Sequence, residues 1–95
     1  MDFDWANPPF DFENGMTTQD IEESFEDPFA VKLLPDSVRF GVQARFFNLG
    51  RAASGVGMFS LYRANGRNIR VIFSRQFSAE EQFFYQRKMS QVLAQ

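Results

Sequence analysis

The clearest pattern of apolar and polar positions lies between Met58 and Tyr85. Two apolar runs flank Asn65-Gly66, and that dipeptide predicts a two-residue hairpin turn of type I′, in which both central residues take positive φ. With those residues at the tip, Ala64 faces Arg67, Tyr62 faces Ile69, Leu61 faces Arg70 and Phe59 faces Ile72. A helix follows, from Ala79 to about Leu93. Ser78 and Glu81 have the spacing of a capping box, hydroxyl to the third backbone N–H and carboxylate back to the first. Tyr85, Met89 and Val92 form one stripe of this helix and Phe83 and Phe84 lie off it, so it is apolar on more than one side.

Upstream, Phe3-Asp4-Trp5 alternates as a short strand that Asn7-Pro8-Pro9 ends, because neither proline donates to a ladder. Residues 10 to 16 are irregular, with Asn14-Gly15 a second turn signal. Thr17-Thr18-Gln19-Asp20 starts a helix with hydroxyl caps and an early acid, and Pro28 stops it. Ile21 and Phe25 form its apolar stripe, beside Glu22, Glu23 and Glu26. This acidic run reads first as a solvated face. Phe29 to Leu34 is a short strand, Pro35-Asp36-Ser37 a turn, and Val38 or Phe40 to Leu49 a longer strand with Arg45, Phe47 and Leu49 on one face. Gly50 to Gly57 reads as a hairpin loop. It lacks both the lysine and the following helix of a phosphate-binding P-loop. The order β-α-β-β-β-β-α describes one α+β domain over residues 1–95: an antiparallel sheet of four to five strands with helices packed on one face.

Composition changes this picture by exclusion. The chain has 95 residues, thirteen of them phenylalanine, with no cysteine and no histidine. Disulfides, thiolate metal sites, thiol nucleophiles and histidine general bases are therefore absent. The serines have no histidine to activate them, and the carboxylates of the first helix lack calcium-loop spacing, so neither a metal site nor a cofactor is expected. No run approaches a membrane span and the amino terminus carries no secretion signal, which makes the cytoplasm the expected location.

The net charge of −2 conceals a division. Residues 1–36 hold ten acids against Lys32 alone, a formal −9. Residues 37–95 hold eight arginines and Lys88 against Glu80 and Glu81, a formal +7. Arginine carries a rigid fork matched to phosphate oxygens, so the basic portion is a candidate RNA surface. The two portions can equally neutralise one another, within one molecule or between two as a homodimer.

Arginine, glutamate and tyrosine are the chemistry left. Glu81 and Tyr85 lie four apart on one helix face, and Arg70 and Arg75 come from the preceding strand. Such a set can cleave RNA without metal: a carboxylate takes the 2′-hydroxyl proton, arginines stabilise charge on the phosphate, and a donor protonates the departing 5′-oxygen. Glu81 as a helix cap and Tyr85 as core packing are the competing structural roles. On a regular strand Arg70 and Arg75, five apart, face opposite sides.

The segment Ile69-Arg70-Val71-Ile72-Phe73-Ser74-Arg75, followed by Glu81 and Tyr85, resembles the signature of BrnT-like toxins, RelE-like ribonucleases of bacterial type II toxin–antitoxin systems. Phe3-Asp4-Trp5, Asn14-Gly15, Phe25-Glu26-Asp27-Pro28, Arg45, Leu49-Gly50 and Gly55 follow in the family's order, so the resemblance spans nearly the whole chain. It implies a RelE/BrnT-like α+β fold, metal-independent endoribonuclease activity that inhibits translation, and a BrnA-like ribbon-helix-helix antitoxin as partner. By position it implies Arg45, Arg70, Arg75, Glu81 and Tyr85 as the site, with Arg70, Arg75, Glu81 and Tyr85 the catalytic set and Arg45 on the RNA backbone; Arg63, Arg67 and Arg87 of the basic portion are further candidate RNA contacts. The chain departs from the family at Glu13-Asn14-Gly15, where Lys-His-Gly is usual, at Trp5-Ala6 and at Glu81-Gln82. A non-catalytic domain that binds a protein through Phe83, Phe84 and the last helix, and an RNA binder without cleavage, are the alternatives.

Overall fold

A computed structural model describes residues 2–13, 15–33 and 45–94. Its elements are β1 (Asp2–Phe3), α1 (Thr18–Glu26), β2 (Val31–Leu33), β3 (Phe46–Arg51), β4 (Gly57–Asn65), β5 (Asn68–Gln76) and α2 (Ala79–Leu93). Five strands form one sheet in the order β1-β5-β4-β3-β2. The α+β class and the element order follow the sequence reading. The expected turn at residues 35–37 and the first part of the strand expected from Val38 lie outside the described residues.

The sheet is mixed rather than antiparallel throughout, because β1 runs parallel to β5 while the other pairs are antiparallel. A two-residue strand reaching β5 from the far end of the chain has no hairpin to set its direction. At the β4–β5 hairpin, Asn65 pairs with Asn68, so Gly66-Arg67 form the tip instead of Asn65-Gly66. Gly66 has φ +62° and no other residue at this turn has positive φ, a pattern that needs glycine only at the first central position. Tyr62 therefore meets Val71, and Arg63 meets Arg70. Both registers keep the same side chains on the same face, so hydrophobic alternation does not separate them.

Further along the hairpin the register shifts: Tyr62 pairs with Val71 and Leu61 with Phe73, leaving Ile72 as the extra residue of a β-bulge. The bulge reverses the alternation of β5 without disturbing β4. Met58, Ser60 and Tyr62 of β4 are buried, as are Ile69, Val71 and, past the bulge, Ser74. Their partners in register from β3 are Phe46, Asn48 and Gly50, and this inner face is the one α1 covers.

Helix α1 seats itself there through Ile21 and Phe25, with Met16, Ala52 and the partly buried rings of Phe3, Trp5, Phe10, Phe12 and Phe46 completing the core. Thr17 caps it in a full capping box with Asp20. Its approach to β3 is close enough that a Cβ on Gly50 would overlap the Ser24 carbonyl. Asn48, fully buried, donates from Nδ2 to that carbonyl at 3.2 Å and accepts from Lys32 Nζ at 3.1 Å; Lys32 also donates to the Phe25 carbonyl at 3.3 Å. Open carbonyls at the helix end thus find donors from the sheet.

Helix α2 does not share the α1 face, contrary to the sequence expectation. By register, Leu49, Phe59 and Arg75 lie side by side on the outer face. Glu81 reaches Arg75 from α2, and Arg51 lies over the Tyr85 ring. The reason is Phe77, which follows β5 and packs where Gly57 leaves room on that face, carrying α2 over with it. Gly50→Ala is expected to lower stability by about 1–3 kcal/mol through overpacking against α1, measured by urea unfolding at neutral pH.

Candidate functional site

The bulge at Ile72 settles the facing of the two arginines. Arg70 pairs with Arg63 before it and Arg75 with Phe59 after it, so both stand on the outer face. Rows across the strands follow from the ladder. One contains Leu49, Phe59 and Arg75, the next Phe47, Leu61 and Phe73, and the next Arg63 and Arg70. Arg45, one residue before β3, comes opposite Arg63 when the register is continued. A cationic row therefore adjoins an apolar one, and α2 lies over the far end.

Arg75 and Glu81 form a two-point pair, Nη1 to Oε1 at 2.7 Å and Nη2 to Oε2 at 2.8 Å. Both side chains are part-exposed, 34% for Arg75 and 19% for Glu81. The Arg75 guanidinium also lies 4.6 Å from the centre of the Phe59 ring. Glu81 fulfils its capping role at the same time: its Oε1 accepts from the Ser78 N–H at 2.9 Å, and Ser78 Oγ accepts from the Glu81 N–H at 3.2 Å. Burial pushes the Glu81 carboxyl up, but the hydrogen bonds from Arg75 and Ser78 outweigh it and hold the group below the usual carboxylate range.

Tyr85 is close in sequence but differently placed. It is 1% exposed, its ring packs 5.4 Å from Phe77, and its hydroxyl donates to Asp27 Oδ2 at 2.5 Å. Burial first, then the bond to Asp27, push its pKa well above the ordinary phenol value. The tyrosine is thus a core residue that ties α2 to the end of α1. Arg70 is engaged at the other end of β5: Nη1 donates to the Ala6 carbonyl at 2.9 Å, Nη2 to the Asn7 carbonyl at 3.1 Å, and Asp4 lies 3.3 Å from Nη1. It fastens the segment after β1, where Asn7 takes φ +48°. Of the residues singled out for catalysis, the fold joins Arg75 with Glu81 and holds Arg70 and Tyr85 in contacts of their own.

The side chains of Arg63 and Arg67 are exposed and make no hydrogen bond or ion pair among the described residues. Arg45 is exposed just before β3. Arg87 lies apart from this row, on α2 beside Phe83. The acidic run is not simply solvated: Glu22 accepts from the Trp5 indole at 2.8 Å, Glu23 from the Ala53 N–H at 3.0 Å, and Asp27 from the Arg51 N–H at 2.8 Å. Sequence reasoning missed Asp27 as a structural centre and Phe47, Phe59 and Phe73 as rings on the outer sheet face, Phe73 exposed and the other two half-buried. Asp27-Pro28 carried a signal for the first, since an Asp side chain often accepts from the N–H two residues on, as Asp27 does from Phe29 at 2.9 Å.

No group of three or more carboxylates that could hold a metal ion occurs among the described residues. No helix among them is long and apolar enough to cross a membrane. The sequence matches no protein-family model and no curated protein.

Two measurements test these roles. Glu81 has a depressed folded-state pKa, so its contribution to stability is present above the unfolded carboxylate pKa and is lost as pH falls through the lower folded value. Urea unfolding from pH 6 down to pH 3 is expected to show a smaller acid loss in Glu81→Gln than in the parent chain. Tyr85→Phe is expected to cost about 1.5–3 kcal/mol, the range for a hydrogen bond to a charged acceptor, in urea unfolding at pH 7.

Proposed function

We propose that the domain binds single-stranded RNA across the outer sheet face, as the toxin member of a type II toxin–antitoxin pair. The observation that carries this reading is the cross-strand pairing of Arg63 with Arg70 beside the row Phe47, Leu61 and Phe73. Like charges placed directly opposite one another on a sheet repel. Asp4 offsets Arg70, but Arg63 has no anion among the described residues. A phosphate between strands relieves that repulsion, and its bases can lie on the adjoining rings, of which Phe73 is 40% exposed. The ordered resemblance to BrnT-like toxins supports the same substrate.

Cleavage is assigned to Arg75 and Glu81, as the resemblance implies. With both carboxylate oxygens held by Arg75, Glu81 is a weak base in the free protein. An RNA phosphate that takes the Arg75 fork releases Glu81 to accept the 2′-hydroxyl proton; the 2′-oxygen bonds to phosphorus as the P–O5′ bond breaks, Arg75 stabilises the charge on the phosphate, and the departing 5′-oxygen takes a proton from solvent, leaving a 2′,3′-cyclic phosphate. Tyr85 has no role in this scheme beyond holding α2. The protein partner is assigned to the other side of α2, where Phe83, 70% exposed, borders a cavity of about 290 Å³ with Gln86, Arg87 and Ser90.

The experiment is RNA binding and cleavage in EDTA with the full chain. Binding is expected to weaken steeply as salt rises, and Arg63→Ala to reduce both the affinity and the salt slope. Cleavage is expected to persist in EDTA and to be abolished in Glu81→Gln, with binding retained. Binding without cleavage leaves the RNA-binding reading standing alone, and absence of binding removes both.

A further inference from the structure

Beside the Arg75–Glu81 pair, β2, β3, β4 and the first turns of α2 enclose a cleft of about 320 Å³, lined by Leu33, Leu49, Phe59, Glu80, Glu81 and Phe84. Its walls are apolar and its rim acidic. Leu49 is buried at the base, while Leu33 and Phe84 are more than a third exposed, so the cleft opens to solvent. The two carboxylates differ. Both oxygens of Glu81 are taken by Arg75, and one of them also by the Ser78 N–H. Glu80 is exposed and its side chain makes no hydrogen bond or ion pair among the described residues.

We infer that this cleft is a pocket for a guanine base. The inference rests on the reading that the domain binds RNA, and it specifies which base the same site selects. A flat aromatic heterocycle suits a slot with Phe84 and Leu33 at the sides and Leu49 and Phe59 beneath. An ionised carboxylate is an acceptor with two oxygens side by side, so it favours a base that presents two adjacent donors. On the Watson–Crick edge only guanine does so, through N1–H and the 2-amino group. Adenine and cytosine each present one amino group, and uracil a single imino N–H between two carbonyls that the carboxylate repels. Glu80 is the group available for this contact, because using Glu81 would require breaking its pair with Arg75.

The position also fits the proposed cleavage. By register the Phe59 of the cleft neighbours Arg75, so a base held here brings its own phosphate toward the guanidinium. Lys88, whose ammonium lies 5.6 Å from the centre of the Phe84 ring, adds a cation on the same helix.

The test is titration of the full chain with guanosine, adenosine, cytidine and uridine 5′-monophosphates, followed by amide and methyl NMR, with fluorescently labelled homopolymeric oligonucleotides in parallel. Guanosine monophosphate is expected to bind about tenfold more tightly than the others, the discrimination of one good bidentate contact, and to shift signals of Leu33, Leu49 and Phe84. Glu80→Gln, at an exposed position, is expected to abolish the preference, and Phe84→Ala to weaken all four ligands. Equal affinities for the four nucleotides, an unchanged preference in Glu80→Gln, or shifts confined to other residues would overturn the inference. Oligonucleotide binding without base preference overturns the pocket and leaves the RNA reading. Guanosine monophosphate selected without any oligonucleotide binding supports the pocket and removes the wider reading.

Discussion

The carboxylate of Asp27 is the joint on which the arrangement of helices and sheet depends. It accepts from the Phe29 N–H, the Arg51 N–H and the Tyr85 hydroxyl, binding the turn after α1, the end of β3 and the middle of α2 to one side chain. Those elements lie on both sides of the sheet, and only a group at its end can reach all of them. An ionised acceptor also gives the stronger class of hydrogen bond. With Asp27 in place, Arg51 stacks on Tyr85, Tyr85 packs on Phe77, and α2 is fixed where Glu81 meets Arg75. The proposed catalytic pair therefore inherits its position from a carboxylate outside the site.

The same logic explains the uneven charge along the chain. Glu22, Glu23 and Asp27 accept from an indole, three backbone N–H groups, a side-chain amide and a phenol. Asp4 is spent on Arg70. Asp4, Asp20, Glu22, Glu23 and Asp27 thus act as internal acceptors, and of these only Asp4 meets the arginine row. Among the described residues, every buried side-chain nitrogen or oxygen has a partner, so the inner face carries Asn48, Ser60 and Ser74 without an unmet polar group.

Legibility in the sequence varied with the range of the interaction. Both helix starts were readable because a capping box is a local device, set by Thr17 with Asp20 and by Ser78 with Glu81. The hairpin was readable, but its tip moved by one residue, because Asn65 and Gly66 each suit a tight turn and only the backbone decides which takes the first central place. The parallel pairing of β1 was hidden, since nothing in Asp2-Phe3 records the direction of a strand more than sixty residues away. The bulge at Ile72 left no composition signal, yet it decides that Arg70 and Arg75 share a face. Tyr85 was readable as a helix neighbour of Glu81, whereas its burial depends on Asp27, Arg51 and Phe77 arriving from three separate segments.

The bulge has a wider consequence. By inserting one residue into β5 alone, it divides that strand into two sections whose inward and outward positions are set out of phase. An exchange of outward side chains near the hairpin tip leaves the helix-covered end untouched, and the reverse holds as well. Outward contacts near the tip and helix docking can therefore diverge separately within one nine-residue strand, a modularity that an uninterrupted ladder would deny it.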